Sequence, residues 1–176
     1  APPIGGHRVS DTQPGCYRRA ESNKMEPAVL NSLYGKAAVI TGGAGVIGAA
    51  LARYLLANGV DVTLADIAHQ KGEALAAKLG CVFIKADVSD ASENQRMIAT
   101  AIERNSRLDF VFLNAGVSSG RLKAPLPYDP ANIDFGSYRQ ILSVNIDGPV
   151  FGVSAAIPAL IDSGGGAIVI TSSVAG

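Results

Sequence analysis

At 176 residues, with 48% apolar and 17% charged side chains, the chain has room for one ordinary globular domain and is too apolar to be disordered throughout. Fifteen Lys and Arg balance fifteen Asp and Glu, and this zero formal charge gives no electrostatic footprint for nucleic acid or anionic lipid. Small molecules are the expected partners, with no nucleic acid and no membrane, and two cysteines in no CxxC pair or disulfide framework suit a reducing, cytoplasmic compartment.

The first 33 residues, rich in Pro, Gly and Ser and without a hydrophobic period, are predicted to be a disordered leader, or upstream or vector-derived sequence before Met25. Arg8, Arg18 and Arg19 leave organelle targeting open, although Asp11, Glu21 and Glu26 weaken it. From residue 34 to 176 short apolar runs alternate with helical periods, the βαβ pattern of a doubly wound parallel sheet. The runs "KAAVIT" (36 to 41), "VDVTLAD" (60 to 66), "CVFIKAD" (81 to 87), "LDFVFLNA" (108 to 115) and "AIVITS" (167 to 172) are predicted strands, being rich in β-branched residues and bounded by Gly or Asp.

The intervening helices follow the same logic. Val46, Ile47, Ala50, Leu51, Tyr54 and Leu55 fall at helical spacing and predict a first helix stopped at Gly59. A second runs near His69 to Leu79 and stops at Gly80; a third, capped by Ser89 or Asp90, buries Met97, Ile98, Ala101 and Ile102. The proline-broken segment "VSSGRLKAPLPYDPANIDFGS" is long for a connection and is expected to border a site or hold a short helix. A last helix is predicted from about Tyr138 to Ile161, interrupted near "NIDGP"; its apolar stretch from Gly148 to Ile161 is too short to span a bilayer and reads as buried. His7 and His69 read as solvated surface, and no metal site is expected.

Between the first strand and first helix stands "TGGAGVIG", residues 41 to 48, where Gly43, Gly45 and Gly48 fit GxGxxG. Glycines there permit a tight turn and the close approach of a pyrophosphate to backbone N–H groups at a helix N-terminus. The lining of such a loop would comprise Gly42, Gly43, Gly45, Val46, Ile47 and Gly48. Asp66 closes the second strand at close to the ~20-residue spacing at which a carboxylate meets the adenosine ribose, or else it only caps the second helix. A carboxylate repels a 2′-phosphate, and neither the loop nor Ile67 and Ala68 offer a basic partner, so NAD is predicted over NADP.

In order, the glycine loop, Asp66, "ADV" (86 to 88), "LNAG" (113 to 116), "VNIDG" (144 to 148) and "GGGAIVITSSVAG" (164 to 176) resemble the short-chain dehydrogenase/reductase family. The resemblance implies a Rossmann fold with Asp87 and Val88 beside the adenine and Asn114, Ala115 and Gly116 shaping the cofactor cleft. It also implies that Asn145 anchors a proton-relay water and that Ser173, rather than Ser172, hydrogen-bonds the substrate oxygen. One departure is the loop. Compact members have TGxxxGxG with glycine where this chain has Val46, and TGxxGxxG is the form of the extended branch, which works on nucleotide sugars; "LNAG", "VNIDG" and "TSSVAG" resemble the compact, NAD(P)-binding branch, and these three motifs decide for it.

The second departure is that the family's Tyr-x-x-x-Lys pair follows the serine, whereas this sequence stops at Gly176 and none of its tyrosines has a lysine four residues on. The resemblance therefore implies an oxidoreductase passing a hydride between NAD(H) and a secondary alcohol or ketone, with the supplied chain an inactive fragment lacking its later strands. An NAD-binding truncated protein without catalysis and an extended-branch epimerase or dehydratase fragment are the alternatives. The family pairs through the helix near Tyr138 to Ile161, which implies a homo-oligomer for the full-length form. A fifth strand left as an exposed apolar edge would make the isolated chain marginally stable and aggregation-prone.

Overall fold

A computed structural model describes residues 32–118 and 132–172. Ser173, most of the proline-broken segment and all but the last residues of the predicted leader lie outside the described residues. Within them Leu33 packs on the core.

Five strands, β1 (Ala37–Thr41), β2 (Asp61–Asp66), β3 (Val82–Lys85), β4 (Phe110–Leu113) and β5 (Ala167–Ile170), form one parallel sheet in the order β3-β2-β1-β4-β5. The chain winds outward from β1 to β3, then returns to β4 on the other side of β1. That reversal leaves a crevice at the carboxyl ends of β1 and β4. Helices α1 (Val46–Ala57), α2 (His69–Leu79) and α3 (Ala91–Asn105) cross between strands, and α4 (Phe135–Leu142), a π-helical segment (Ser143–Asp147) and α5 (Gly148–Asp162) lead to β5.

Every residue of β1 is buried, as a central strand covered on both faces must be. Successive side chains point to opposite faces. Ala38 and Ile40 therefore join Ala52, Leu55, Val62 and Leu64 under α1 and α2, while Val39 joins Met97, Ile98, Val111, Leu113 and Ala156 under α3 and α5.

The residues noted at helical spacing on α1 divide between its two sides. Gly48, Ala49, Ala52 and Leu55 face the sheet, whereas Val46, Ile47 and Tyr54 are exposed. Small residues let the helix backbone lie close to the strands, and the bulky residues at the same period are left outside. On α3 the expected face holds, and the cap is Asp90, whose carboxylate accepts from the N–H groups of Ser92 and Glu93. The Ser92 hydroxyl and these amides hold the Asp90 carboxyl below the usual range. Ser89 is not the cap; its N–H and hydroxyl both donate to Asp87 Oδ1. Gly80 ends α2 in the left-handed conformation, φ 72°, and Gly59 follows α1 at φ 76°.

The interruption near "NIDGP" is the π-segment, and helical backbone continues on both sides of it. The stretch Phe135–Asp162 is 28 residues and holds an 18-residue window of mean hydropathy 1.5, long and apolar enough by length and composition to cross a membrane. The expectation that Gly148 to Ile161 is buried holds for one side only. Only one side of α5 is buried, through Gly148, Gly152, Ala156, Ala159 and Leu160. Gly152 is required there, because a Cβ would stand 2.5 Å from the Leu113 side chain on β4. The outer side exposes Val150, Ile157 and Ile161.

At the amino ends of β1 and β4 lies a buried carboxylate, Asp109. It accepts from Lys36 Nζ (2.9 Å), from Arg107 Nε and Nη2 (2.7 and 2.6 Å) and from the Ala37 N–H (2.9 Å). Burial alone would raise its pKa, but Arg107, the Ala37 N–H and Lys36 together outweigh burial and hold it at about 2.

Candidate cofactor and active site

The glycine loop is shaped by close backbone contacts. Gly42 adopts φ 63°, and a Cβ there would meet Ala115 Cα at 2.9 Å; a Cβ on Gly48 would run into the Gly42 carbonyl and lie 2.8 Å from Gly43 Cα. Gly43 abuts Leu64 and donates to the Ala65 carbonyl (3.1 Å). Gly45 is the N-cap of α1 at φ −73°, so the helix begins at Val46 and no left-handed turn is needed at residue 45 or 46. That is the path the loop takes with its glycine one position early. Gly45 supplies no capping side chain, which leaves first-turn N–H groups of α1 directed at the crevice, where an anion fits.

Asp66 bridges this loop to the next turn. Its Oδ2 accepts from the Ala44 N–H (3.0 Å) and its Oδ1 from the Ala68 N–H (2.9 Å). It does not cap the following helix, whose N-cap is Ala68 and carries no side-chain cap. Ile67 lies outward beside it, 62% exposed, as is Ile47, with Val46 at 84%. Such exposed aliphatic side chains around a carboxylate and an open helix end suit the apolar faces of a nucleotide. Across the edge strand, an open groove of about 600 Å³ runs from Ile67 past Lys85, Asp87, Glu93 and Arg96, outside the crevice itself.

Asn114 joins three strands. Its Nδ2 donates to the Thr41 carbonyl (3.3 Å), and its Oδ1 accepts from the Thr171 hydroxyl (3.1 Å), tying the tips of β1, β4 and β5. Buried Thr41, which the sequence reading passed over as a strand end, is as central: its Oγ1 accepts from the N–H groups of Asn114 (3.0 Å) and Ala115 (3.1 Å) and donates to the Phe112 carbonyl (3.4 Å). Its position immediately before the first glycine was the available signal.

Asn145 sits in the π-segment and pairs its amide with the backbone of Val117, accepting from the N–H and donating to the carbonyl, both at 2.8 Å. One N–H and one lone pair of the amide remain for another partner. Gly116 passes beneath it, where a Cβ would lie 3.4 Å from Oδ1. Val88 reaches α5 across Gly148. The crevice thus gathers the glycine loop, Asp66, Asn114, Ala115, Gly116 and Asn145. Asp87 lies farther out, toward the edge strand. Ser172 is exposed just beyond β5. No group of three metal-ligating side chains occurs among the described residues.

A doubly wound sheet with a glycine loop at its reversal point defines a dinucleotide-binding α/β protein. Residues 36–176 match the family described as short chain dehydrogenase, and the chain belongs to the short-chain dehydrogenase/reductase family of NAD(P)-using oxidoreductases. It is 38% identical over 144 residues to tropinone reductase-like 2 of Erythroxylum coca, covering 81% of this chain and 51% of that protein. With the mitochondrial borneol dehydrogenase of Lavandula x intermedia it shares 32% identity over 151 residues, covering 86% of this chain and 56% of that one. The crystal structure of levodione reductase superposes with a TM-score of 0.73 at 26% identity, covering 80% of this chain and 55% of that chain. The chain spans about half the length of the relatives it matches.

Proposed function

We propose that the protein to which this chain belongs transfers a hydride between NAD(H) and a secondary alcohol or ketone. The observation that carries the choice of NAD is Asp66. Its carboxylate lies at the tip of β2 against the loop amide of Ala44, and neither the loop nor Ile67 and Ala68 add a cation that could meet a 2′-phosphate. Gly42, Gly43, Gly45, Val46, Ile47 and Gly48 hold the pyrophosphate at the start of α1, Asp66 and Ile67 take the adenosine ribose, and Asp87 and Val88 flank the adenine. Asn114, Ala115 and Gly116 floor the nicotinamide end.

When bound, the nicotinamide would supply or accept the hydride, and the chain's own residues would position the substrate and the water of a proton relay. Ser173 orients and polarises the substrate oxygen. Asn145, with the free lone pair and N–H of its amide, holds the water that carries the proton onward. Substrates are small alcohols or ketones, in line with relatives named as tropinone reductase-like, borneol dehydrogenase and levodione reductase. We place the protein in the cytoplasm as a homo-oligomer pairing through the outer side of α4 and α5, where Tyr138, Ile157 and Ile161 are exposed.

Titration calorimetry with NAD and NADP tests the reading. NAD is expected to bind at least about tenfold more tightly, as a repelled phosphate implies; equal or reversed affinities would overturn it. Turnover of the whole protein on a panel of secondary alcohols then separates a dehydrogenase from a protein that only binds NAD, since binding without turnover on any of them would favour the latter.

A further inference from the structure

Asn94, in the first turn of α3, is 1% exposed. Its Nδ2 donates to two carbonyls, Val88 and Asp90, at 2.8 Å each, while its Oδ1 is buried and finds no donor among the described residues. An aliphatic side chain would fill this position without leaving an oxygen unpaired, and a buried unpaired carbonyl costs free energy. The amide nitrogen explains why the position is polar. It is the bond to the Val88 carbonyl that draws the turn after β3 inward.

Val88 stands at a junction. Its side chain and carbonyl lie 3.1 to 3.3 Å from where a Cβ on Gly148 would be, at the start of α5 and three residues beyond Asn145. On the same turn, Asp87 is held by Ser89. Releasing the Val88 carbonyl would therefore let residues 87 and 88 relax away from the crevice, while the Ala86 N–H stays bonded to the Asp66 carbonyl (3.2 Å) and the glycine loop is left in place.

We propose that Asn94 is a positioning residue for the adenosine half of the bound dinucleotide, acting through the main chain of Val88. The inference rests on the reading that this chain binds NAD with Val88 beside the adenine. Asn94→Ala and Asn94→Leu in the 176-residue chain, titrated with NAD, ADP-ribose and nicotinamide mononucleotide and melted without ligand, test it. Affinity for NAD and ADP-ribose is expected to fall equally, by about 5- to 10-fold, the effect of losing one buried hydrogen bond. Nicotinamide mononucleotide should keep its affinity within about twofold, and the melting temperature of Asn94→Leu should change little, because loss of the unpaired Oδ1 offsets the Val88 carbonyl left without its donor. Asn94→Ala, with its higher helix propensity, serves if the larger side chain disturbs folding. Unchanged NAD affinity in both variants, or a loss shared equally by all three ligands, would overturn the inference. A wild-type chain binding neither NAD nor ADP-ribose would overturn the cofactor reading instead and take this inference with it.

Discussion

Asp66 places each carboxylate oxygen on a different backbone amide, so the residue that would discriminate between cofactors also braces the loop that would hold them. Asp66→Ala removes both functions. NAD affinity is expected to fall about tenfold or more by calorimetry while the NAD/NADP ratio narrows, the loss of two charge-assisted hydrogen bonds being worth at least that much. Gly48→Ala should be harsher in a different way. Its methyl meets the Gly42 carbonyl and Gly43 Cα, both backbone, so relief requires moving the loop; a destabilisation of about 1–3 kcal/mol by urea titration is expected, together with lost NAD binding. Asp109 acts at the other end of the sheet. Its folded pKa of about 2 is below the ordinary ~3.9, so the stability it contributes is present above about pH 4 and is lost as pH falls toward 2. Allowing for screening of its two half-exposed cations, about 1–2 kcal/mol should disappear over that range, and Asp109→Asn should abolish that part of the acid dependence without changing NAD affinity. Of these residues Asp66 and Gly48 were legible in the sequence, since both chemistry and spacing are local. Thr41 and Asn94 were not, because the partners of one are 71 to 74 residues away and the other reads as an ordinary polar position in a helix.

At the scale of elements, periodicity found all the helices and strands of the described residues but mixed the two sides of one helix. A helix lying close to a sheet turns its small residues inward, and a count of large apolar residues therefore mixes exposed Val46, Ile47 and Tyr54 of α1 with buried Leu55. The same principle governs α5, where it can be tested. Gly152→Val would press against Leu113 on β4; a loss of about 1–3 kcal/mol in chemical denaturation is expected, against almost none for a valine at exposed Ser154 two residues on. The π-segment was visible only as a break. Nothing in "SVNID" prescribes a widened turn, and Pro149, which follows it, sits at the beginning of α5 where proline is tolerated.

For the molecule as a whole, the uneven distribution of exposed apolar side chains matters most. Phe135, Tyr138, Ile146, Val150, Ile157 and Ile161 lie open along α4 to α5, and Val169 and Ile170 on β5, while the opposite edge strand carries Lys85 and the charged groove. Light scattering is expected to report a mass above the 18.0 kDa of one chain, and Ile157→Lys combined with Ile161→Lys to reduce it. A strictly concentration-independent 18.0 kDa species would exclude association through this side. Fold class followed from the alternation of runs and the position of the glycines. The open fifth strand was expected, but the exposure along α4 and α5 was not, because a chain's apolar content does not say which helix faces it leaves uncovered.

The pairing of Asn145 with Val117 has a consequence in time as well as in space. Residue 117 lies beyond β4 and belongs to no ladder, yet its N–H is bonded to an amide 28 residues along the chain. In hydrogen–deuterium exchange it should behave as strand interior, opening only when the π-segment opens. Asn145→Ala would then convert a slow proton into a fast one, and the end of β4 and the middle of the long helix, now one cooperative unit, would come apart separately.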